Sequence, residues 1–91
     1  MKSQPPGAKK HRHEFVETYS GPVAFGWDRR TDEACVRYYL QKFSDDALMD
    51  HLLEKLPDPE LSRIFNLISE LLQNHLSDAE YHRLFLKEAE D

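Results

Sequence analysis

The stretch Asp58-Pro59-Glu60-Leu61-Ser62-Arg63-Ile64-Phe65-Asn66-Leu67-Ile68-Ser69-Glu70-Leu71-Leu72-Gln73-Asn74-His75-Leu76 decides the fold. Positions 61, 64, 65, 68, 71, 72, 75 and 76 fall on one side of an α-helix. Seven of these eight are Leu, Ile or Phe, and the eighth is His75. Steps of three and four match the 3.6-residue helical period. Asp58 is a residue type that caps helix N-termini. Pro59 at the first helical position loses nothing by lacking an N–H. The pattern predicts a helix over 59–76, and no other segment is as long or as apolar.

On either side of this helix the chain reads as shorter helices. Ser44 is a cap for a helix over 45–56, with Phe43 and Leu48 at hydrophobic-staple spacing. Its apolar face is Leu48, Met49, Leu52, Leu53 and Leu56, and Pro57 ends it. Ser77 and Glu80 form a capping box opening a helix over 78–89, with Leu76 and Tyr81 at staple spacing and Tyr81, Leu84, Phe85 and Ala89 inward. Upstream, Thr31 is a cap for a helix over 32–43, whose first turn, Asp32-Glu33, suits the positive end of the dipole. Val36, Tyr39, Leu40 and Phe43 form its expected inward face.

Residues 15–27 have a different character. Phe15-Val16-Glu17-Thr18-Tyr19 is β-branched and aromatic, Ser20-Gly21-Pro22 is a turn signal, and Val23-Ala24-Phe25-Gly26-Trp27 alternates large and small. This pattern predicts a short β-hairpin packed on the helices, with Val23, Phe25 and Trp27 on one face. The alternative is an extended arm crossing the helical surface. The expected fold is mainly α: four helices (32–43, 45–56, 59–76, 78–89) with an N-terminal hairpin or arm over 15–27.

The 91 residues favour one domain. Residues 1–13 carry Lys2, Lys9, Lys10 and Arg12, no acid, Pro5-Pro6-Gly7, and no large apolar residue after Met1. They read as a disordered basic tail, leaving 14–91 as one small helical domain. From Glu14 onward there are 28 large apolar residues, twelve of them Leu, enough for one small core. Apolar burial contributes about 25 cal/mol per Å², and conformational entropy offsets most of it in a chain this short. A homodimer burying a second apolar face fits that thin margin.

Charge sets limits on function. The tail is +4, whereas the remainder sets 8 basic against 17 acidic residues, −9. An acidic body argues against nucleic acid as the main partner, because phosphate contacts need a basic surface. No apolar run reaches the roughly 18–20 residues of a membrane span. The N-terminus lacks the apolar core of a signal peptide. With Cys35 as the lone cysteine, no intramolecular disulfide can form, and a cytoplasmic location is expected.

No cluster carries recognisable catalytic chemistry. His11-Arg12-His13-Glu14 offers two imidazoles and a carboxylate, short of a structural metal set. Cys35 has no histidine partner in any motif and reads as a small buried thiol. Asp46, Asp50, Glu54 and Asp58 form an acidic stripe at four-residue steps, read as a solvated face. Asp78 and His82, four apart, read as a surface pair. No catalytic residue, cofactor, metal or small-molecule substrate is expected.

The best candidate contact patch is Trp27, Arg29 and Arg30 with Arg37 and Tyr38, since Trp, Tyr and Arg dominate interface hot spots. The plainer reading is that Trp27 covers the core and the arginines pair with acids. The expected function is a non-catalytic protein–protein interaction or regulatory module, with a protein partner or a second copy. The alternative is a nucleic-acid-associated regulator using the basic tail with Arg29, Arg30 and Arg37.

Overall fold

A computed structural model describes residues 11–88 of the chain. The architecture is mainly helical: α1 (Phe15–Thr18), α2 (Arg29–Phe43), α3 (Asp46–Leu52), α4 (Asp58–His75) and α5 (Asp78–Glu80). A 3-10 turn (Leu53–Lys55) follows α3, and a π-helical turn (Tyr81–Phe85) follows α5. Two compact units are distinguished, one over Arg12–Lys55 and the other beginning at Leu56. The expected tail falls mostly, and Ala89 wholly, outside the described residues.

In the first unit, the expected β-hairpin over 15–27 is absent: no strand occurs among the described residues. A single helical turn, α1, replaces its first half. The aromatic content that suggested a strand serves a helix instead, because Phe15 and Tyr19, four apart, stack at 4.7 Å between ring centroids. One turn is unstable alone, and it is held from outside. The Val16 N–H donates to Gln41 Oε1 on α2 at 2.9 Å, and Tyr19 lies 5.9 Å from the Tyr38 ring. The second half, residues 20–27, is irregular. The Tyr19 hydroxyl donates to the Pro22 carbonyl at 2.7 Å, and its ring lies so close over Gly21 that a Cβ there would meet the hydroxyl oxygen at 2.6 Å. Gly26 has a left-handed φ of 102°, which breaks the alternation that a strand would need.

Helix α2 starts three residues earlier than expected. Asp28, not Thr31, is the cap: its backbone is extended and its carboxylate accepts the Thr31 N–H at 2.8 Å. Both residues are good caps, but capping at Asp28 adds almost a turn and brings Arg29 within 2.6 Å of Glu33. A similar shift occurs at α3. Asp45, not Ser44, is the cap, accepting the N–H groups of Ala47 and Leu48 at 3.1 and 3.3 Å. Ser44 instead closes α2, donating its hydroxyl to the Gln41 carbonyl and sharing a hydrogen bond with His13 Nε2. The expected staple is thereby lost, since Phe43 no longer directly precedes the cap.

In the second unit, α4 is the 18-residue helix its periodicity predicts, within one residue at each end. Pro57 occupies the cap position without a side-chain bond, Asp58 is the first helical residue, and Pro59 lies in the first turn. Leu76, in extended conformation, ends the helix while its N–H still reaches the Leu72 carbonyl at 3.1 Å. The capping box is present in both directions: Glu80 N–H to Ser77 Oγ at 3.2 Å, and Ser77 N–H to Glu80 Oε1 at 2.9 Å.

The last helix is shorter than the expected 78–89 and changes winding. After Glu80 the backbone widens into the π-turn, with the Leu86 N–H reaching the Tyr81 carbonyl at 3.0 Å. Tyr81 and Phe85 stack there at 5.3 Å. Lys87 takes a left-handed φ of 60°, and the Glu88 N–H bonds back to the His82 carbonyl at 3.0 Å, closing the helix end. His82 Nδ1 lies 2.8 Å from Glu88 Oε1, so it pairs with Glu88 rather than Asp78.

Candidate functional site

The site grows from the way α2 is turned. The sequence pattern puts Val36, Tyr39, Leu40 and Phe43 inward, but all four are exposed, Leu40 by 62%. The face turned inward carries Thr31, Ala34, Cys35, Tyr38 and Gln41, with Cys35 only 7% exposed. The physical reason lies in what α2 packs against. Its neighbour α1 is one turn long and presents Phe15 and Tyr19, so Tyr38 and small side chains make the seam. The larger aliphatic stripe is left uncovered.

Loop residues extend that stripe. Val23, Phe25 and Trp27, read as an inward strand face, are exposed, Phe25 by 69% and Trp27 by 71%. Asp32 Oδ1 accepts the Gly26 N–H at 2.7 Å and pins the loop to the first turns of α2. Phe25 then joins Val36 and Leu40 in an open groove of about 630 Å³, with Arg29, Asp32, Glu33, Arg37 and Gln41 completing its lining.

The five patch residues separate. Trp27 and Arg30 stand exposed near the start of α2. Arg29 is tied to Glu33, which raises its pKa further, first through the hydrogen bond and then through the carboxylate charge. Arg37 lines the groove and lies over the Phe15 ring, 4.9 Å from the centroid. Tyr38 is on the other side of α2, half-buried against Tyr19, with the Lys42 ammonium 5.4 Å from its ring. The groove residues missing from the sequence reading are Phe25, Val36 and Leu40. Large apolar residues at helical spacing carry the same signal whether they face a core or a partner. The signal that distinguishes them is the Ala34-Cys35 pair with Tyr38, small and aromatic residues suited to a close seam.

Electrostatically, the cap of α2 is the perturbed part. Asp28 is held below its ordinary 3.8, chiefly by the Thr31 N–H and then by the Thr31 hydroxyl. That shift belongs to a helix cap and not to an acid–base pair. Among the described residues, no three His, Cys, Asp or Glu side chains gather as a metal set, and no helix is long and apolar enough to cross a membrane. His13 is engaged with Ser44, and Arg12 with Glu14 at 3.2 Å. A smaller depression of about 340 Å³ lies where α4 meets α5, lined by Leu72, Leu76 and Tyr81 among others. The chain matches no family model, no curated protein and no solved structure.

Proposed function

We propose that this chain is a small, non-catalytic, cytoplasmic protein-interaction module that binds a protein partner through the outward stripe of α2. The observation that carries the reading is the groove built from Phe25, Val36 and Leu40. Large apolar side chains left uncovered beside polar rims mark interaction sites. The chemistry of the rim suits an amphipathic segment: apolar residues for the floor, and both charge signs from Arg29, Asp32, Glu33 and Arg37 for register. Trp27 and Arg30, exposed near the start of α2 but outside the groove lining, would extend the contact, while Tyr38 supports α2 from behind.

Two observations favour this reading over nucleic-acid binding. Arg29 is paired with Glu33, and Arg37 is laid on Phe15. Both are arginines on which a phosphate-binding mode would draw. The test uses the full chain with a photo-crosslinking residue at position 39, beside the groove, to trap its partner in cells. Wild type is expected to yield a defined protein adduct. Phe25→Ala with Leu40→Asp is expected to weaken that complex at least tenfold, as loss of a central hot spot does. A partner held equally by the double variant contradicts the reading. So does a nucleic-acid complex whose affinity falls steeply with salt.

A further inference from the structure

We propose that two copies of this chain pair through α4, antiparallel, along the seam Leu61, Ile64, Phe65, Ile68 and Leu71. This seam shares no residue with the α2 groove and does not depend on the function proposed for it.

The seam has two-heptad periodicity. Leu61, Ile64, Ile68, Leu71 and His75 recur at steps of three and four, the spacing of a helix–helix seam, with Phe65 and Leu72 widening it. Arg63 and Glu70 lie on the opposite side of the helix by the same periodicity, so no charge interrupts the stripe. Yet the stripe is uncovered: Leu61, Phe65, Leu67, Ile68 and Leu71 are between 39% and 69% exposed.

The area matches what a pair requires. An aromatic such as Phe65 buries roughly 150–250 Å² and Leu or Ile somewhat less, so complete burial of what these five expose removes at most on the order of 500 Å² per copy. Two copies together remove up to about 1,000 Å², the size a specific interface has to clear. Half-buried Ile64 and Leu72 and the polar flanks add to it.

Charge selects the direction. Asp58 and Glu60 stand in the first turn of α4 and His75 in its last. A parallel pair sets four carboxylates side by side. An antiparallel pair opposes the helix dipoles and brings each acidic end toward the other copy's His75. The two-fold axis then passes between Ile64 and Ile68. Leu61 meets Leu71 of the second copy, Ile64 meets Ile68, and Phe65 and Leu67 lie near their own counterparts. Such an interface is isologous and closes on itself.

Sedimentation equilibrium of the full chain over ~1–100 μM tests the pair. The mass is expected to rise from 10.7 kDa toward twice that value. Phe65→Glu is expected to weaken the pair at least tenfold with helicity retained, whereas Leu40→Asp on α2 leaves it intact. Direction is read in a Cys35→Ser background: Leu67→Cys is expected to cross-link readily to itself, and Leu61→Cys to do so poorly. A strict monomer at ~100 μM overturns the proposal. A dimer dissolved by Leu40→Asp instead of Phe65→Glu overturns it by moving the interface to α2. Self-cross-linking at 61 but not at 67 overturns the antiparallel arrangement.

Discussion

Gly26 and Lys87 both sit in the left-handed region, with φ of 102° and 60°, and only Gly26 lacks the Cβ that makes this region costly. A Cβ in that region costs about 1–2 kcal/mol. Gly26→Ala is therefore expected to lower the thermal midpoint even though open space surrounds the glycine, because the cost is in the backbone. It should also loosen the Gly26–Asp32 bond that sets Phe25 in the groove. Lys87→Gly is expected to raise stability by about 1 kcal/mol, since glycine takes the helix-closing conformation without strain. Calorimetry on the two variants checks both signs; a stabilising Gly26→Ala would contradict the assigned loop conformation. At the same scale, two cap carboxylates set a pH dependence. Asp28 and Glu80 are held below their ordinary 3.8 and 4.5, each first by a backbone N–H and then by a hydroxyl, from Thr31 and Ser77 respectively. A depressed carboxyl binds fewer protons folded than unfolded. Its stabilisation is present above those ordinary values and is lost as pH falls through and below them. Acid unfolding should thus begin with fraying of α2 and α5. Asp28→Asn, which still caps, should flatten the α2 share of that dependence, as followed by circular dichroism against pH.

At the scale of elements, local chemistry was legible and partner-dependent orientation was not. The α4 helix, the Ser77–Glu80 capping box and the helical character of 46–55 follow from residues within a turn or two of each other. The caps of α2 and α3 were misplaced by three residues and by one, because Thr31 and Asp28, and Ser44 and Asp45, compete as caps and the loser finds another role. The segment 15–19 was misread as a strand because its β-branched and aromatic content is equally served by the Phe15–Tyr19 stack on a helical turn. That decision rests on Gln41, 25 residues away, which takes the Val16 N–H. Once α1 is a turn and not a hairpin, the inward face of α2 narrows, and Val36, Tyr39 and Leu40 become surface. Of the candidate patch, Trp27 and Arg30 are exposed and Tyr38 is half-buried, while Phe25, Val36 and Leu40, expected to face inward, are exposed. Ser77→Ala removes the hydroxyl acceptor of the box and is expected to cost about 1 kcal/mol. The loss should appear as fraying of α5 and its π-turn, with α4 unchanged, in amide exchange. Loss of protection spread evenly over α4 would contradict the independence of the two helix ends.

For the whole molecule, the balance between core and surface is the governing fact. Among the described residues, Cys35 is the one buried hydrophobic side chain, while sixteen large hydrophobics from Val23 to Phe85 are exposed. So thin a core leaves a narrow margin of stability, because entropy offsets most of what the chain buries by itself. The proposed α4 pairing makes the thermal midpoint rise with protein concentration, since association with the folded state alone stabilises it. A midpoint independent of concentration would contradict that pairing without touching the α2 groove. Helix α2 turns its small and aromatic face inward and its large aliphatic stripe outward. Thiol labelling of the full chain tests this orientation most directly, comparing native Cys35 with Leu40→Cys and Val36→Cys in a Cys35→Ser background. Positions 36 and 40 are expected to react at nearly the rate of the unfolded chain while Cys35 is strongly protected. Protection at 36 and 40 with rapid reaction at Cys35 would contradict it.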